Sequence, residues 1–219
     1  MKKANPAQIQ NTATPRSSQY PIDEVFLTRW STRAFDAQPM PTVDLKTLLE
    51  AARWAPSAYN VQPWRFIVTQ RESIHWQAAL DLLDPFNADW AQNASALIFL
   101  ISDTQIPSSE PPELFPSHSF DTGSAWAHIA LQAAKMGYQA HAMAGIFHEK
   151  IRQQLRVPKS FNIEIAIAVG TPGDPQMLSP ALREREAPSQ RLPLSELVFS
   201  PVFGHTEGLV HRQDEEDHP

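Results

Sequence analysis

Arg29-Trp30-Ser31-Thr32-Arg33-Ala34-Phe35 and, one helix length later, Ala55-Pro56-Ser57-Ala58-Tyr59-Asn60-Val61-Gln62-Pro63-Trp64 form the stretch whose reading decides this chain. The first string alternates basic, hydroxyl and basic side chains at Arg29, Ser31 and Arg33. In an extended backbone, residues two apart point the same way, so these three share a face. Four residues at ~3.3 Å rise span roughly 13 Å, the length over which one ligand phosphate and a ring system beyond it can be held together. On a helix Ser31 would point away from both arginines. Taken alone, an R-x-S-x-R string is most often a solvated basic surface. The second string, placed directly after an amphipathic helix, tips the reading toward a binding site.

Composition bounds the class. With 219 residues and 42% hydrophobic content the chain can bury one substantial core. The net charge of −6, with no basic block, argues against nucleic-acid or anionic-membrane partners. There is no cysteine, so disulfides, thiolate metal sites and cysteine nucleophiles are all excluded. That composition is compatible with a cytoplasmic setting. The longest apolar run, Ala96-Leu97-Ile98-Phe99-Leu100-Ile101, is too short to span a bilayer. None of the seven glycines precedes Gly123, where a dinucleotide fingerprint or P-loop would need them. Any phosphate bound here is therefore held by side chains, and the planar arginine fork suits that work.

Residues 1–20 form an expected flexible N-terminal segment, 21–203 a single domain and 204–219 an acidic flexible tail. Hydrophobic periodicity predicts helices at Ile22–Thr28, Thr42–Trp54, Glu72–Leu83, Ala88–Asn93, Asp121–Met136, His148–Leu155 and Leu194–Val198. Strands are expected at Arg65–Thr69, Leu97–Ser102, Tyr138–Ala142 and Glu164–Val169. Pro107–Ser119 falls in a proline- and serine-rich loop or lid. Irregular alternation of helices and strands favours an α+β fold with a central mixed, largely antiparallel sheet flanked by helices. The segment from Thr171 to Leu192 is too long for a simple connection, and an arm reaching a partner subunit is one reason for such length.

The full set of strings resembles the nitroreductase-like family of FMN oxidoreductases. Besides the two blocks above it includes Asn87 seven residues before Ala94, Asp121-x-Gly123-x-Ala125, Ala144-Gly145 and Arg191-x-Pro193-Leu194, in that order from about residue 22 to 198. The resemblance implies a homodimer with FMN at the subunit interface and NADH or NADPH as co-substrate. It also implies ping-pong hydride transfer through flavin N5 to an electron-poor acceptor such as a nitroaromatic, quinone or enal. In that arrangement Arg29 and Ser31 hold the phosphate, with Arg191 as a further partner and Trp30 beside them. Arg33 reaches the pyrimidine edge, which Asn87 also hydrogen-bonds. Ala144 and Gly145 lie against the ring, while Pro56, Ser57, Ala58 and Asn60 come from the other subunit. No side chain acts as acid or base, because the flavin carries the chemistry, and no metal is expected.

Three departures from the family pattern stand out, one being Ala144 in place of an acidic residue found there in some members. Ser189 occupies a position that is basic in several relatives, so Arg183 or Arg185 is a candidate to complete the phosphate site. Trp90 stands where some members are basic and bears on the expected entrance. His141 and His148 read as structural or solvent-facing, and Phe115, His118 and Phe120 as loop residues that could gate a substrate. Other readings are a flavin-binding or flavin-handling protein, acting as a sensor or partner-dependent module with little nicotinamide turnover, and a relative with other flavin chemistry such as dehalogenation.

Overall fold

The computed structural model describes residues 16–107 and 109–205. The expected acidic tail from 206 onward and most of the expected N-terminal segment lie outside the described residues. Four strands, β1 (Trp64–Gln70), β2 (Ala96–Asp103), β3 (Gln139–Met143) and β4 (Phe161–Gly170), form one sheet in the order β1-β2-β4-β3. All three pairings are antiparallel. A register shift between Leu100 and Ile101 interrupts the β2–β4 ladder.

Period-two alternation sorts the central strands onto two apolar layers. Leu97, Phe99 and Ile101 of β2, with Ala166 and Ala168 of β4, face one core. Ala96, Ile98, Leu100, Ile167 and Val169 face the other. The second core is covered by α2 (Thr42–Arg53) and α5 (His118–Lys135), through Leu45, Leu48 and Ala52 on one helix and Ala125, Ile129 and Ala133 on the other. These residues recur at helical spacing, and the alanines let the helices lie close to the sheet. The first core takes α3 (Trp76–Leu80), α4 (Pro85–Ala91), α6 (His148–Gln154) and the buried ring of Phe35. No described helix is long and apolar enough to cross a membrane.

Several elements differ from expectation at their ends. The helix expected over Glu72–Leu83 shrinks to α3, because 71–75 form turns and Leu83 leaves to bridge Ile146. α5 begins at His118, three residues before the expected Asp121, behind the buried Phe115. Within Pro107–Ser119, Gln105 pairs with Leu114 across the loop, so the segment is tethered at its base.

The start of the long segment after β4 stays with its own chain. Leu178 and Leu182 on α7 (Pro180–Arg183) are buried in the first core. Gly173 packs against the backbone of Phe35, and its N–H donates to Ala34 O at 2.8 Å. A short helix, α8 (Leu194–Leu197), follows after α1 (Val25–Thr28) and the others in chain order.

Candidate functional site

The Arg29–Phe35 segment is extended, as its alternation predicts. Thr32, Ala34 and Phe35 are buried, while Arg29, Ser31 and Arg33 are only partly covered. It is held to the β3 edge by backbone contacts. Trp30 N donates to Gln139 Oε1 at 3.3 Å, and His141 Nδ1 lies 3.0 Å from Thr32 O. A carbonyl only accepts, so Nδ1 carries the proton in that bond.

The outward side chains line a pocket of about 250 Å³ formed by Arg16, Arg29, Trp30, Ser31, Arg33, His141, Arg185, Ala187, Ser189 and Arg191. It brings together five expected residues: Arg29, Trp30, Ser31, Arg33 and Arg191. Ser189 also lines it, and of the two candidate replacements Arg185 does while Arg183 does not. Arg183 instead donates to Gln176 O and Leu178 O, tying its helix to the turn before it. Five guanidinium groups converge here. Burial and the neighbouring Arg191 lower the pKa of Arg29, and burial with Arg191 and Arg29 lowers that of Arg16. Like charges gathered in this way need an anion. A larger cleft of about 430 Å³ beside Met40, Gln70 and Arg71 contains none of the expected residues.

Glu186 is the one carboxylate engaged with this segment among the described contacts, and one of its oxygens takes all its hydrogen bonds while the other is buried without one. Oε1 accepts from Thr32 Oγ1 at 2.5 Å, Arg33 N at 2.7 Å and Ala34 N at 2.9 Å. Oε2 lies 3.7 Å from Arg33 Nη1. Glu186 therefore fixes the backbone and partly balances Arg33, leaving Arg16, Arg29, Arg185 and Arg191 without a paired carboxylate among the described residues.

Asn87, Ala144 and Gly145 form a second group just beyond the end of β3. Asn87 Nδ2 donates to Gly145 O at 3.0 Å, and Asp84 N donates to the same oxygen at 2.9 Å. A Cβ on Gly145 would come within 2.5 Å of Asn87 Nδ2, so glycine permits this close approach. Ala144 and Gly145 are exposed.

Pro56, Ser57, Ala58 and Asn60 lie elsewhere, in the loop that enters β1 at the opposite edge of the sheet. Tyr59, Asn60 and Gln62 adopt φ of 51°, 56° and 54°, left-handed conformations that non-glycine residues rarely hold. The loop is fixed by Asp121 Oδ2 accepting from Ala58 N at 3.0 Å and by Ser57 Oγ accepting from Gln62 N at 3.0 Å. Asp121 is buried, and this bond ties its carboxylate to the loop. Strain of this kind concentrates at functional sites.

Three residues escaped the sequence reading. Arg16 falls in the segment expected to be flexible, yet its Nη1 donates to Leu27 O at 3.1 Å and Arg29 O at 2.7 Å. Glu186 had no local motif to mark it. His141 lines the pocket with its ring 4.6 Å from that of Trp90. Trp90 itself is 1% exposed and stacks near Phe35, so it is a core residue beneath the site and no entrance residue. Of the loop residues, Phe115 is buried, His118 hydrogen-bonds Ser102 at 2.8 Å and Phe120 is exposed.

A family model described as the nitroreductase family matches residues 27–171. A solved structure described as an oxidoreductase containing FMN is 46% identical, with a TM-score of 0.85, and the match covers 87% of this chain and 97% of that one. A protein of Thermus thermophilus named NADH dehydrogenase is 28% identical over 79% of this chain and 92% of its own. A Streptococcus pyogenes protein bearing an NAD(P)H nitroreductase name is 37% identical, but that match spans only 38% of the relative. With the family model matching from the Arg-Trp-Ser string to the end of β4, this chain belongs to the nitroreductase family.

Proposed function

We propose that the protein is an FMN-dependent oxidoreductase that takes hydride from NADH or NADPH and passes it to an electron-poor acceptor such as a nitroaromatic, quinone or enal. The observation that carries this reading is the arginine pocket, four of whose five guanidinium groups have no paired carboxylate among the described residues and suit a phosphate monoester. The relatives' names, an oxidoreductase containing FMN and an NADH dehydrogenase, support the same cofactor and co-substrate.

In this reading Arg29, Ser31 and Arg191 bind the phosphate, with Trp30 beside them. Arg33 offers positive charge to the pyrimidine edge, tempered by Glu186 at 3.7 Å, and favours gain of electrons there. Asn87 and the Ala144–Gly145 backbone border the ring. FMN, when bound, supplies a hydride acceptor and donor at its N5 position, so the protein's work is to position, shield and tune. No acid or base side chain is assigned.

We further propose a homodimer. The arginine pocket adjoins β3, whereas Pro56, Ser57, Ala58 and Asn60 precede β1, three strand spacings away at roughly 14 Å. A second copy can bring its β1-side loop to this chain's β3-side pocket, which one chain does not do alone. Tyr59, 98% exposed at the tip of that loop, has the apolar surface to be covered by such a partner.

The test is anaerobic addition of NADH or NADPH to purified protein. Rapid loss of the yellow colour, restored by a quinone or nitroaromatic, is expected. Yellow protein that neither nicotinamide bleaches would overturn the oxidoreductase reading in favour of a flavin carrier.

A further inference from the structure

Arg16 is the first residue described, and it is anchored where the family strings give no reason to expect a ligand. Its Nη1 donates to the carbonyls of Leu27 and Arg29, at 3.1 and 2.7 Å. Those two bonds lay the guanidinium against the Arg29 backbone and into the pocket that Arg29, Ser31 and Arg191 line. Among the described residues only Nη1 is spent on protein acceptors. Nε is buried and has no hydrogen-bond partner among the described residues, a costly state for a charged donor.

An uncharged residue, Ser189, also lines the pocket. Arg191 Nη1 donates to Ser189 O, Ser189 Oγ and Gln190 O, at 3.1–3.2 Å. Arg191 is thus drawn toward its own loop, and a serine hydroxyl carries no charge to add. Three guanidiniums of residues 16, 29 and 191 sit close enough to oppose one another. That arrangement is unfavourable by itself and becomes favourable around a dianion.

We propose that Arg16 is a direct ligand of the FMN phosphate, a cation reaching the pocket from the N-terminal segment to stand beside Arg29 where Ser189 offers no charge. The inference rests on the reading of this pocket as the FMN site.

Equilibrium binding to the flavin-stripped full-length protein tests this, with FMN and riboflavin as paired probes because they differ only in the phosphate. Arg16→Ala is expected to weaken FMN by about tenfold or more and to leave riboflavin affinity unchanged. Arg16 could act only by holding the Arg29 carbonyl, and the double variant separates the two roles. In an Arg29→Ala background, Arg16→Ala is expected to weaken FMN again by at least about threefold, with Arg16→Lys recovering part of the loss. Unchanged FMN affinity in Arg16→Ala, or no added loss in the Arg29→Ala background, overturns the proposal while leaving the site intact. If the unmodified protein discriminates neither flavin, or if Arg29→Ala binds FMN normally, the pocket reading itself fails and the role of Arg16 falls with it. Unfolding midpoints of every variant confirm that binding is read on folded protein.

Discussion

Glu186 Oε1 accepts a 2.7 Å hydrogen bond from the backbone N–H of Arg33, tying the segment after β4 to the start of the folded chain across 153 residues. Two more donors, Ala34 N and Thr32 Oγ1, converge on the same oxygen. The carboxylate sets the path of the segment that presents Arg29, Ser31 and Arg33. Glu186→Ala strands the two backbone donors, while Thr32 Oγ1 keeps Ala34 O at 3.3 Å, and is expected to cost about 3 kcal/mol of unfolding free energy. Glu186→Gln keeps one acceptor and should cost less. Urea melts of the two variants check this, and an alanine variant within ~0.5 kcal/mol of the parent would contradict it.

Arg33 reaches the pocket beside Glu186 and is the only pocket arginine with a paired carboxylate among the described residues. Removing its charge should make the bound flavin harder to reduce. Arg33→Ala is therefore expected to lower the flavin midpoint potential, read by reductive titration against a reference dye. An unaltered potential would place Arg33 away from the ring.

Gly173 has no room for a side chain. A Cβ there would lie 2.5 Å from Phe35 C and 2.6 Å from Phe35 O, backbone atoms that cannot swing aside. Gly173→Ala should cost ~1–3 kcal/mol and loosen the Arg29–Phe35 segment, weakening FMN binding as well. At Gly145 the nearest atom is the end of the Asn87 side chain, so Gly145→Ala should be milder. Thermal melts of the two variants side by side test the ordering.

Much of this arrangement is legible in the chain itself. The alternation from Arg29 to Phe35 foretold which side chains face outward, and the alanine-rich stripe of α5 foretold a closely packed central helix. Arg16 and Glu186 were not legible, because each acts through a contact with a segment distant in sequence and neither sits in a periodic pattern. Trp90 misled for a related reason. A tryptophan at a position some relatives fill with a base reads as an altered entrance, whereas here its neighbours Phe35 and His141 make it part of the core. The turn-rich stretch after β1 failed as a helix because Ser73 accepts backbone hydrogen bonds that favour a turn.

His141 gives the pocket a pH dependence. Burial lowers its pKa below the ordinary 6.5, reinforced by Arg33 and opposed by Thr32 O, Glu186 and Ser31. The neutral ring is favoured in the folded state, so its stabilising effect is complete above about pH 6.5. As pH falls below that value the unfolded chain takes up the proton first, and stability declines toward the lower folded pKa. His141→Gln should flatten this decline below about pH 6.5. A variant that keeps the parent's slope would show that His141 does not titrate in this window.

The central claim is that the arginine pocket binds FMN through its phosphate. Titration of flavin-stripped protein with FMN, followed by flavin fluorescence, tests it most directly, with Arg29→Ala alongside. The expected result is saturable binding at one FMN per chain, weakened about tenfold or more by Arg29→Ala. Folded protein that takes up no FMN, or an Arg29→Ala variant that binds it as tightly as the parent, would contradict the claim.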